Sequence, residues 1–268
     1  MGQLIEWHIE NKTDAIIVCG TTGESSTMTD EERKSTIKFV VDKVNKRIPV
    51  IAGSGSNNTA YSIELSKYCQ EVGADGLLIV TPYYNKATQG GLIKHYTAIA
   101  NSVDLPIILY NVPGRTGANM SAETTLRLAE IDNVIAIKEA SGNRGQVEEI
   151  LRNAPEGFKV FSGNDDETLW MMENGGAGVI SVASNVDPVM MAKLIKAIRG
   201  GYHEQAHALN EKLTPLFTNC FMESNPIPAK AALSAMGLIQ NELRLPLVPA
   251  QEETYDLMVD TLVDLGLL

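Results

Sequence analysis

The amino-acid sequence predicts an α/β fold in which parallel strands alternate with helices, as in a TIM-type (β/α)8 barrel. Short runs rich in valine and isoleucine alternate along the chain with longer amphipathic stretches, and this alternation is typical of a parallel sheet covered by helices. The short runs are apolar at consecutive positions, as expected for strands that are buried on both faces. A length of 268 residues is a usual size for one such barrel.

Seven runs have the length and composition of strands, and we predict them at residues 14–20, 48–53, 75–82, 105–111, 133–139, 158–163 and 176–182. A closed barrel of this type has eight strands. The chain instead opens on a helical segment at residues 4–11. We therefore expect a barrel that lacks its first strand.

Helical segments are predicted between the strands, for example at residues 29–45 and 57–73. After the last strand the pattern becomes entirely helical, with segments at residues 187–199, 202–221, 228–236 and 252–265. Gly73 and Gly200 follow helical runs and are predicted to end them in the left-handed conformation. We therefore divide the chain into a barrel at residues 1–185 and a C-terminal helical extension at residues 186–268, packed on the barrel.

The composition excludes several classes of function. A formal net charge of −11 argues against nucleic acid as a partner, because phosphate binding requires concentrated lysine and arginine. No apolar run is long enough to span a membrane, and the N-terminus lacks the basic and apolar regions of a signal peptide. The three cysteines are odd in number and widely spaced, which predicts no disulfide framework and a reducing compartment. We therefore expect a cytoplasmic protein with no membrane partner.

Several polar residues follow the predicted strands directly, at the end where α/β barrels build their active sites. Lys138 comes after the apolar residues 133–137. Desolvation favours the neutral form of a buried lysine, and a neutral amine is the nucleophile that a Schiff base requires. By position alone, a lysine that reaches solvent just past a strand is the more common interpretation.

Tyr110 ends another predicted strand, and Arg115 follows five residues later. A phenol can relay protons or orient a carbonyl, and a guanidinium can bind a carboxylate through two parallel hydrogen bonds. The alternative is a core tyrosine followed by a Pro-Gly turn and a surface arginine. Position alone does not separate these interpretations.

Two further strand ends carry hydroxyl groups. Thr21 and Thr22 lie between glycines, where backbone N–H groups can approach a carboxylate, although a hydroxyl-rich turn has the same composition. Tyr83 and Tyr84 follow the third predicted strand. Paired aromatic residues on a loop suit a binding site or a subunit contact, and a simple packed loop is the alternative.

The sequence predicts no metal site and no nucleotide cofactor. Asp165 and Asp166 have no histidine or further acid at ligand spacing. The four histidines, His8, His95, His203 and His207, fall in helical segments, and we expect them on the surface. Residues 53–57 contain two of three dinucleotide-binding glycines and no phosphate-binding lysine.

Several segments together resemble one family. They read Gly-Thr-Thr-Gly-Glu at residues 20–24, Pro-Tyr-Tyr-Asn at 82–85, Tyr-Asn-Val-Pro-Gly-Arg-Thr-Gly at 110–117, Ile-Lys-Glu at 137–139, Asn-Pro-Ile-Pro at 225–228 and Leu-Arg-Leu-Pro at 243–246. In this combination and order, from about residue 4 to residue 268, the chain resembles the dihydrodipicolinate synthase (4-hydroxy-tetrahydrodipicolinate synthase) family. That family belongs to the pyruvate-dependent class I aldolases, which also include N-acetylneuraminate lyase.

The resemblance implies a role for each of these residues. Lys138 would form an imine with pyruvate, and Tyr110 would shuttle protons. Tyr110 would be linked through Thr21 to Tyr84, which in the family reaches across a dimer interface into the neighbouring site. Thr22 and the nearby backbone would hold the carboxylate of pyruvate.

The resemblance also implies the second substrate. The enamine would attack L-aspartate 4-semialdehyde, whose carboxylate would lie near Arg115, in lysine and diaminopimelate biosynthesis. Gly163 and Ile180 would line the pocket through backbone groups. The covalent imine would serve as the electron sink, so no cofactor is implied. A homodimer or homotetramer is expected.

Two alternatives remain from the sequence. Sialic acid lyases share Lys138 and Tyr110 with this chain but lack the arginine at position 115, so another pyruvate aldolase such as N-acetylneuraminate lyase is the first alternative. A catalytically impaired remnant is the second, because a barrel with a missing strand would hold its catalytic residues less firmly.

Overall fold

A computed structural model describes residues 1–268 and contains one parallel sheet of seven strands. The strands are β1 (Ile16–Val18), β2 (Val50–Gly53), β3 (Gly76–Val80), β4 (Ile107–Asn111), β5 (Val134–Glu139), β6 (Lys159–Ser162) and β7 (Gly178–Val179). They pair in chain order from β1 to β7, and every pair is parallel. The prediction of a TIM-like α/β fold is therefore confirmed.

Each of the seven strands lies within its predicted segment, although most are shorter by a few residues. β1 and β7 each have one hydrogen-bonded neighbour, so they are the two edge strands of the sheet. Their outer backbone N–H and C=O groups are not paired with another strand.

Helices follow most strands and make up the rest of the chain. They are α1 (Gly2–Glu10), α2 (Asp30–Val44), α3 (Thr59–Glu71), α4 (Gln89–Ala100), α5 (Pro113–Thr116), α6 (Ala122–Leu128), α7 (Arg144–Asn153), α8 (Thr168–Glu173), α9 (Pro188–Arg199), α10 (His203–Asn219), α11 (Ile227–Ala235) and α12 (Glu252–Leu265). Single turns of 3₁₀ helix are formed by Thr21–Gly23, Ser25–Thr27, Asp165–Glu167 and Ala183–Asn185. None of the helices is both long enough and apolar enough to cross a membrane.

The chain forms two compact units. One comprises Met1–Asp14, Thr21–Thr29 and Ser181–Leu268, and the other comprises Ala15–Gly20 and Asp30–Ile180. The second unit contains the whole sheet together with α2 to α8. The first unit contains α1, the threonine-rich turn after β1, and the C-terminal helices.

One face of the sheet carries an apolar cluster. Side chains two residues apart on a strand point to the same face, and Ile108, Tyr110 and Ala136 accordingly share this cluster with Leu78 and Val112. The partly buried residues that pack against it lie on every strand except β4, or just after the strand: Ile17, Ile51, Val80, Ala140, Phe161 and Ile180. Lys138 lies two residues beyond Ala136 on β5, so it projects from the same face.

Glycine conformations agree with the sequence at one helix end and disagree at another. Gly73 follows α3 with φ of +86°, as predicted. Gly200 does not adopt the left-handed conformation that was predicted for it, since its φ is −81°. Gly201 adopts that conformation instead, with φ of +71°. In a Gly-Gly pair either residue can take the left-handed position without steric cost.

The prediction of four surface histidines is wrong for His95. This residue lies on α4 and is buried at 6% exposure. Its Nδ1 is 2.9 Å from the hydroxyl oxygen of Thr59, whereas its Nε2 is buried without a hydrogen-bond partner. Burial lowers the pKa of His95 to about 4, because the charged imidazolium is poorly solvated there.

The lowered pKa of His95 predicts that the folded protein loses stability in acid. The folded protein keeps the imidazole neutral down to a pKa of about 4, whereas in the unfolded chain it takes up a proton near pH 6.5. Above pH 6.5 the neutral imidazole therefore costs the folded protein no stability. As the pH falls towards 4, the free energy of unfolding decreases, by about 2 kcal/mol at pH 5. Between pH 7.5 and pH 5, we expect the free energy of unfolding in urea to fall by about 2 kcal/mol more in the parent than in His95→Gln. Equal losses in the two proteins would contradict this prediction.

Candidate active site

The structure brings Lys138 and Tyr110 together at the carboxyl ends of two neighbouring strands. β4 and β5 pair so that Tyr110 is the direct partner of Lys138. The Nζ atom of Lys138 lies 4.4 Å from the centre of the Tyr110 ring. Lys138 is 8% exposed and Tyr110 is 7% exposed. A nucleophilic amine and a phenol are thus held beside each other with little solvent around them, and the interpretation of Lys138 as a solvent-reaching lysine does not hold.

Gly163 follows β6 and packs against the side chain of Lys138. A Cβ atom at this position would lie 3.0 Å from Cε of Lys138 and 2.6 Å from Cβ of Ala140. The Gly163 N–H donates a hydrogen bond of 2.7 Å to the backbone oxygen of Glu139. The glycine therefore allows the backbone after β6 to approach the lysine as closely as it does.

The second predicted pocket residue, Ile180, follows β7. Its N–H donates a hydrogen bond of 2.8 Å to the backbone oxygen of Ser162, and its side chain packs against the apolar cluster that contains Tyr110. Gly163 and Ile180 therefore both lie in the unit that carries Lys138 and Tyr110.

Gly163→Ala tests how tightly the backbone constrains the lysine. The added methyl group would overlap Lys138 and Ala140, so the lysine side chain must move. A misplacement of about 1 Å in a reacting group costs on the order of 100-fold in rate, and we expect a 10- to 100-fold slower reaction of Lys138 with a carbonyl compound. The measurement is the rate of borohydride-trapped adduct formation. Gly145→Ala is the matched control, because its nearest neighbour would lie 3.5 Å away, and a comparable rate loss in both variants would contradict the prediction.

Arg115 lies on α5, a single helical turn directly after β4. Pro113 begins this turn and Gly117 ends it with φ of +72°. The hydroxyl group of Thr116 lies within hydrogen-bonding distance of the backbone oxygens of Val112 and Ala118, at 3.2 and 2.9 Å. The turn is therefore internally fixed, and Arg115 is an exposed residue on it.

The loop that carries Tyr83 and Tyr84 is joined to the Arg115 turn. The N–H of Tyr84 donates a hydrogen bond of 3.3 Å to the backbone oxygen of Thr116. Tyr84 has a left-handed backbone with φ of +71°, and its side chain is 90% exposed. Its ring is therefore not buried against Lys138 or Tyr110 of the same chain, and it is available for contact with another molecule.

Thr21 and Thr22 lie in the other compact unit, on the 3₁₀ turn Thr21–Gly23. The hydroxyl group of Thr22 forms a pair of contacts with the side chain of Asn225. It accepts a hydrogen bond of 2.9 Å from Nδ2 and lies 3.3 Å from Oδ1. Thr21 is exposed, so its hydroxyl group is open to a ligand.

Glu24 anchors the same turn through contacts that were not predicted from the sequence. Its carboxylate forms an ion pair of 2.6 Å with Lys230 and accepts a hydrogen bond of 3.0 Å from the N–H of Arg244. Burial alone would raise the pKa of Glu24, but the hydrogen bonds and charges of Lys230 and Arg244 outweigh it and lower the pKa. No local pattern signals this contact, because Lys230 and Arg244 are more than 200 residues away in sequence.

Comparison with known proteins identifies relatives along the whole chain. Residues 1–264 match the model of the dihydrodipicolinate synthetase family. A 4-hydroxy-tetrahydrodipicolinate synthase of Thermoanaerobacter sp. (strain X514) is 52% identical over 269 residues, which cover 100% of this chain and 91% of the relative. The enzyme of the same name from Acetivibrio thermocellus is 49% identical, with the same coverage of both chains.

Solved structures agree with the sequence relatives. The dihydrodipicolinate synthase of Thermotoga maritima superposes with a TM-score of 0.98 at 46% identity, covering 100% of this chain and 92% of the other. The corresponding structure from Aquifex aeolicus gives a TM-score of 0.98 at 45% identity, covering 99% and 91% of the two chains. A structure described as the first monomeric dihydrodipicolinate synthase variant also gives 0.98, at 46% identity.

Proposed function

The chain belongs to the dihydrodipicolinate synthetase family, and from this premise we propose that it condenses pyruvate with L-aspartate 4-semialdehyde to 4-hydroxy-tetrahydrodipicolinate. This is the activity named for its curated relatives, and it belongs to lysine and diaminopimelate biosynthesis. The observation that carries the proposal is the Lys138 amine 4.4 Å from the Tyr110 ring in a nearly closed environment.

The proposed reaction begins with attack of the neutral Lys138 amine on the keto carbon of pyruvate. Water leaves, and the imine withdraws electrons from the adjacent methyl carbon. Loss of a proton from that carbon gives an enamine, which attacks the aldehyde carbon of the second substrate. The amino group of that substrate then attacks the imine carbon, closes the ring and releases the lysine amine.

Tyr110 is the proposed proton carrier for these steps. Its ring lies beside the amine, and a phenol can both donate and accept a proton. The imine supplies the electron sink, so the proposed mechanism uses no metal and no separate cofactor. Gly163 and Ile180 are the proposed pocket residues that contribute backbone groups.

Thr22 and Thr21 are proposed to bind the pyruvate carboxylate and to connect the proton relay. The paired contacts of Thr22 with Asn225 fix the turn and leave the Thr21 hydroxyl exposed. Tyr84 is proposed to complete the relay from a neighbouring copy of the chain in a homodimer or homotetramer. Its 90% exposure within one chain supports this assignment.

The second substrate distinguishes the proposal from its main alternative. Arg115 is an exposed residue on the turn after β4, and a guanidinium suits the carboxylate of the semialdehyde, whereas sialic acid lyases lack this arginine. We expect the purified protein to consume pyruvate and L-aspartate 4-semialdehyde together and to leave N-acetylneuraminate unchanged. Mass spectrometry of the product is the test. Cleavage of N-acetylneuraminate without the condensation would replace the proposal with the lyase activity.

We also propose that the sheet accepts an eighth strand between its two edges, as expected for a barrel of residues 1–185 with a helical extension at 186–268. β1 and β7 have one strand neighbour each, and each buried backbone group without a partner costs roughly 1–3 kcal/mol.

Restoring that strand is expected to stabilise the protein. A family-like strand and loop appended before α1 should raise the melting temperature by at least about 5 °C and increase the rate of imine trapping. An extension of equal length that is interrupted by prolines serves as the control, because proline cannot complete the ladder. If the extended and original proteins melt together and turn over alike, the open edges are dispensable.

A further inference from the structure

A buried carboxylate that the proposed mechanism does not use lies directly behind the reactive lysine. Glu139 follows Lys138 on β5 and is 1% exposed. Since successive side chains of a strand alternate between faces, Glu139 points away from the face that carries Lys138. None of the ion pairs in the structure includes Glu139. A carboxylate buried in this way is costly unless hydrogen bonds compensate it.

Hydrogen-bond donors converge on this carboxylate from three residues. The N–H of Ser141 donates to Oε1 at 2.7 Å, and Nε2 of Gln146 donates to Oε2 at 3.1 Å. Nδ2 of Asn111 lies 3.2 and 3.1 Å from the two oxygens. Burial raises the pKa of Glu139, and the hydrogen bonds from Ser141, Asn111 and Gln146 oppose that rise. All three neighbours present donors, so the site is built for a group that only accepts.

Asn111 connects the carboxylate to the turn that carries Arg115. Asn111 is fully buried and is the direct strand partner of Glu139, as Tyr110 is of Lys138. Its Oδ1 accepts a hydrogen bond of 3.0 Å from the N–H of Met120, which closes residues 111–120 into a loop. The same side chain thus holds the end of β4, the end of β5 and both ends of the loop that presents Arg115.

The pairing of β4 with β5 contains a register shift on which the position of Lys138 opposite Tyr110 depends. Ile107 pairs with Val134, but Ile108 pairs with Ala136, so the register advances by one residue between them. Without the shift, Tyr110 would lie opposite Ile137 instead of Lys138. A slip of one residue moves side chains to the opposite face of a strand, so the reactive pair exists only in the shifted register.

We propose that Glu139 and Asn111 are positioning residues that lock the shifted register of β4 and β5 and thereby hold Lys138 against Tyr110. The lock is formed by the Asn111–Glu139 pair on the opposite face of the sheet from the reactive pair. The expected effect on the rate of imine formation rests on the proposed function. The structural content of the inference, the fastening of the two strand ends, is independent of the reaction.

Glu139→Gln is the decisive variant. It keeps the volume of the side chain but replaces one carboxylate oxygen, which accepts hydrogen bonds, with an NH₂ group that faces the donors of neighbouring residues. We expect the rate constant of imine formation with pyruvate to fall about 10- to 100-fold. The rate is divided by the amount of Lys138 that borohydride has trapped when the reaction is complete. A smaller fraction of folded protein then does not lower the rate constant. Ser66→Ala is the matched control, since it removes a different buried hydrogen bond, from the Ser66 hydroxyl group to that of Ser54 at 2.9 Å.

For Ser66→Ala we expect a lower melting temperature and an unchanged rate constant per trapped site. The same result in Glu139→Gln would overturn the proposal. If Glu139→Gln does not fold, Gln146→Met is used instead, because it removes one hydrogen-bond donor at the half-buried edge of the cluster. A rate constant for Gln146→Met equal to that of the parent would then overturn the proposal. Failure of the proposed function is recognised separately, because the parent would form no adduct on Lys138. Hydrogen exchange at the ends of β4 and β5 would still be expected to increase in Glu139→Gln and not in Ser66→Ala.

Discussion

Lys138→Ala is expected to lower the condensation rate on the order of 10³-fold or more, because removal of a covalent nucleophile eliminates the whole reaction path. The proposal requires that specific amine, since Lys138 is the lysine whose Nζ lies against the Tyr110 ring. The fold should survive, because the truncated side chain leaves its apolar neighbours on the same face of the sheet. The measurement is steady-state product formation with both substrates saturating.

Lys138→Arg provides the control for charge and volume. A guanidinium is similar in length to the lysine side chain but stays protonated and does not form an imine, so we expect the same loss as in the alanine variant. Retention of more than a few per cent of the parent activity in either variant would contradict the assignment of Lys138 as the nucleophile.

Arg115→Ala is expected to impair the second half of the reaction far more than the first. Hydrogen bonds to a charged group are worth roughly 1.5–3 kcal/mol, and truncation of a buried charged contact costs roughly 2–5 kcal/mol. Because Arg115 is an exposed residue, we expect a cost at the lower end of this range, about 2 kcal/mol. That corresponds to about a 30-fold loss in kcat/KM for the semialdehyde, with little change in trapping of pyruvate.

The control for this experiment is Arg152→Ala, which removes an exposed arginine from α7 and should leave both steps intact. An equal loss of pyruvate trapping and condensation in Arg115→Ala would mark Arg115 as a structural residue of the turn. Arg115→Lys should recover part of the activity, because an ammonium keeps the charge but makes one point contact with the carboxylate in place of the two-pronged one.

The sequence predicted the sheet well because parallel strands buried on both faces appear as uninterrupted apolar runs. All seven strands lie in their predicted segments, and α12 has the predicted bounds of residues 252–265. Strand ends were less accurate. The sequence marks where apolar residues stop, whereas hydrogen-bond pairing ends earlier, most clearly at β7, which pairs over only two residues.

The site was predictable where local pattern and position agree. Lys138 and Tyr110 each end an apolar run, and parallel strands bring such ends to the same edge of a sheet. The one-residue register shift between β4 and β5 was not predictable, because it depends on the pairing of two segments that are distant in sequence. The contacts of Glu24 were not predictable for the same reason, because its partners Lys230 and Arg244 come from the other end of the chain.

Burial of single polar residues was the other source of error. His95 was expected on the surface because it lies in an amphipathic helix, but its ring is enclosed beside Tyr96, at 5.2 Å between ring centres. Glu139 gave a usable signal that was not exploited. It follows Lys138 on an apolar strand and therefore faces the opposite side of the sheet, where a carboxylate requires several donors.

The central claim is that Lys138 forms an imine with pyruvate, and borohydride reduction tests it most directly. The protein is reduced in the presence of pyruvate, digested, and mapped by mass spectrometry. We expect one reduced pyruvyl adduct, located on Lys138, and no adduct in Lys138→Ala. An adduct on another lysine, such as Lys86 or Lys159, or no adduct at all, would contradict it.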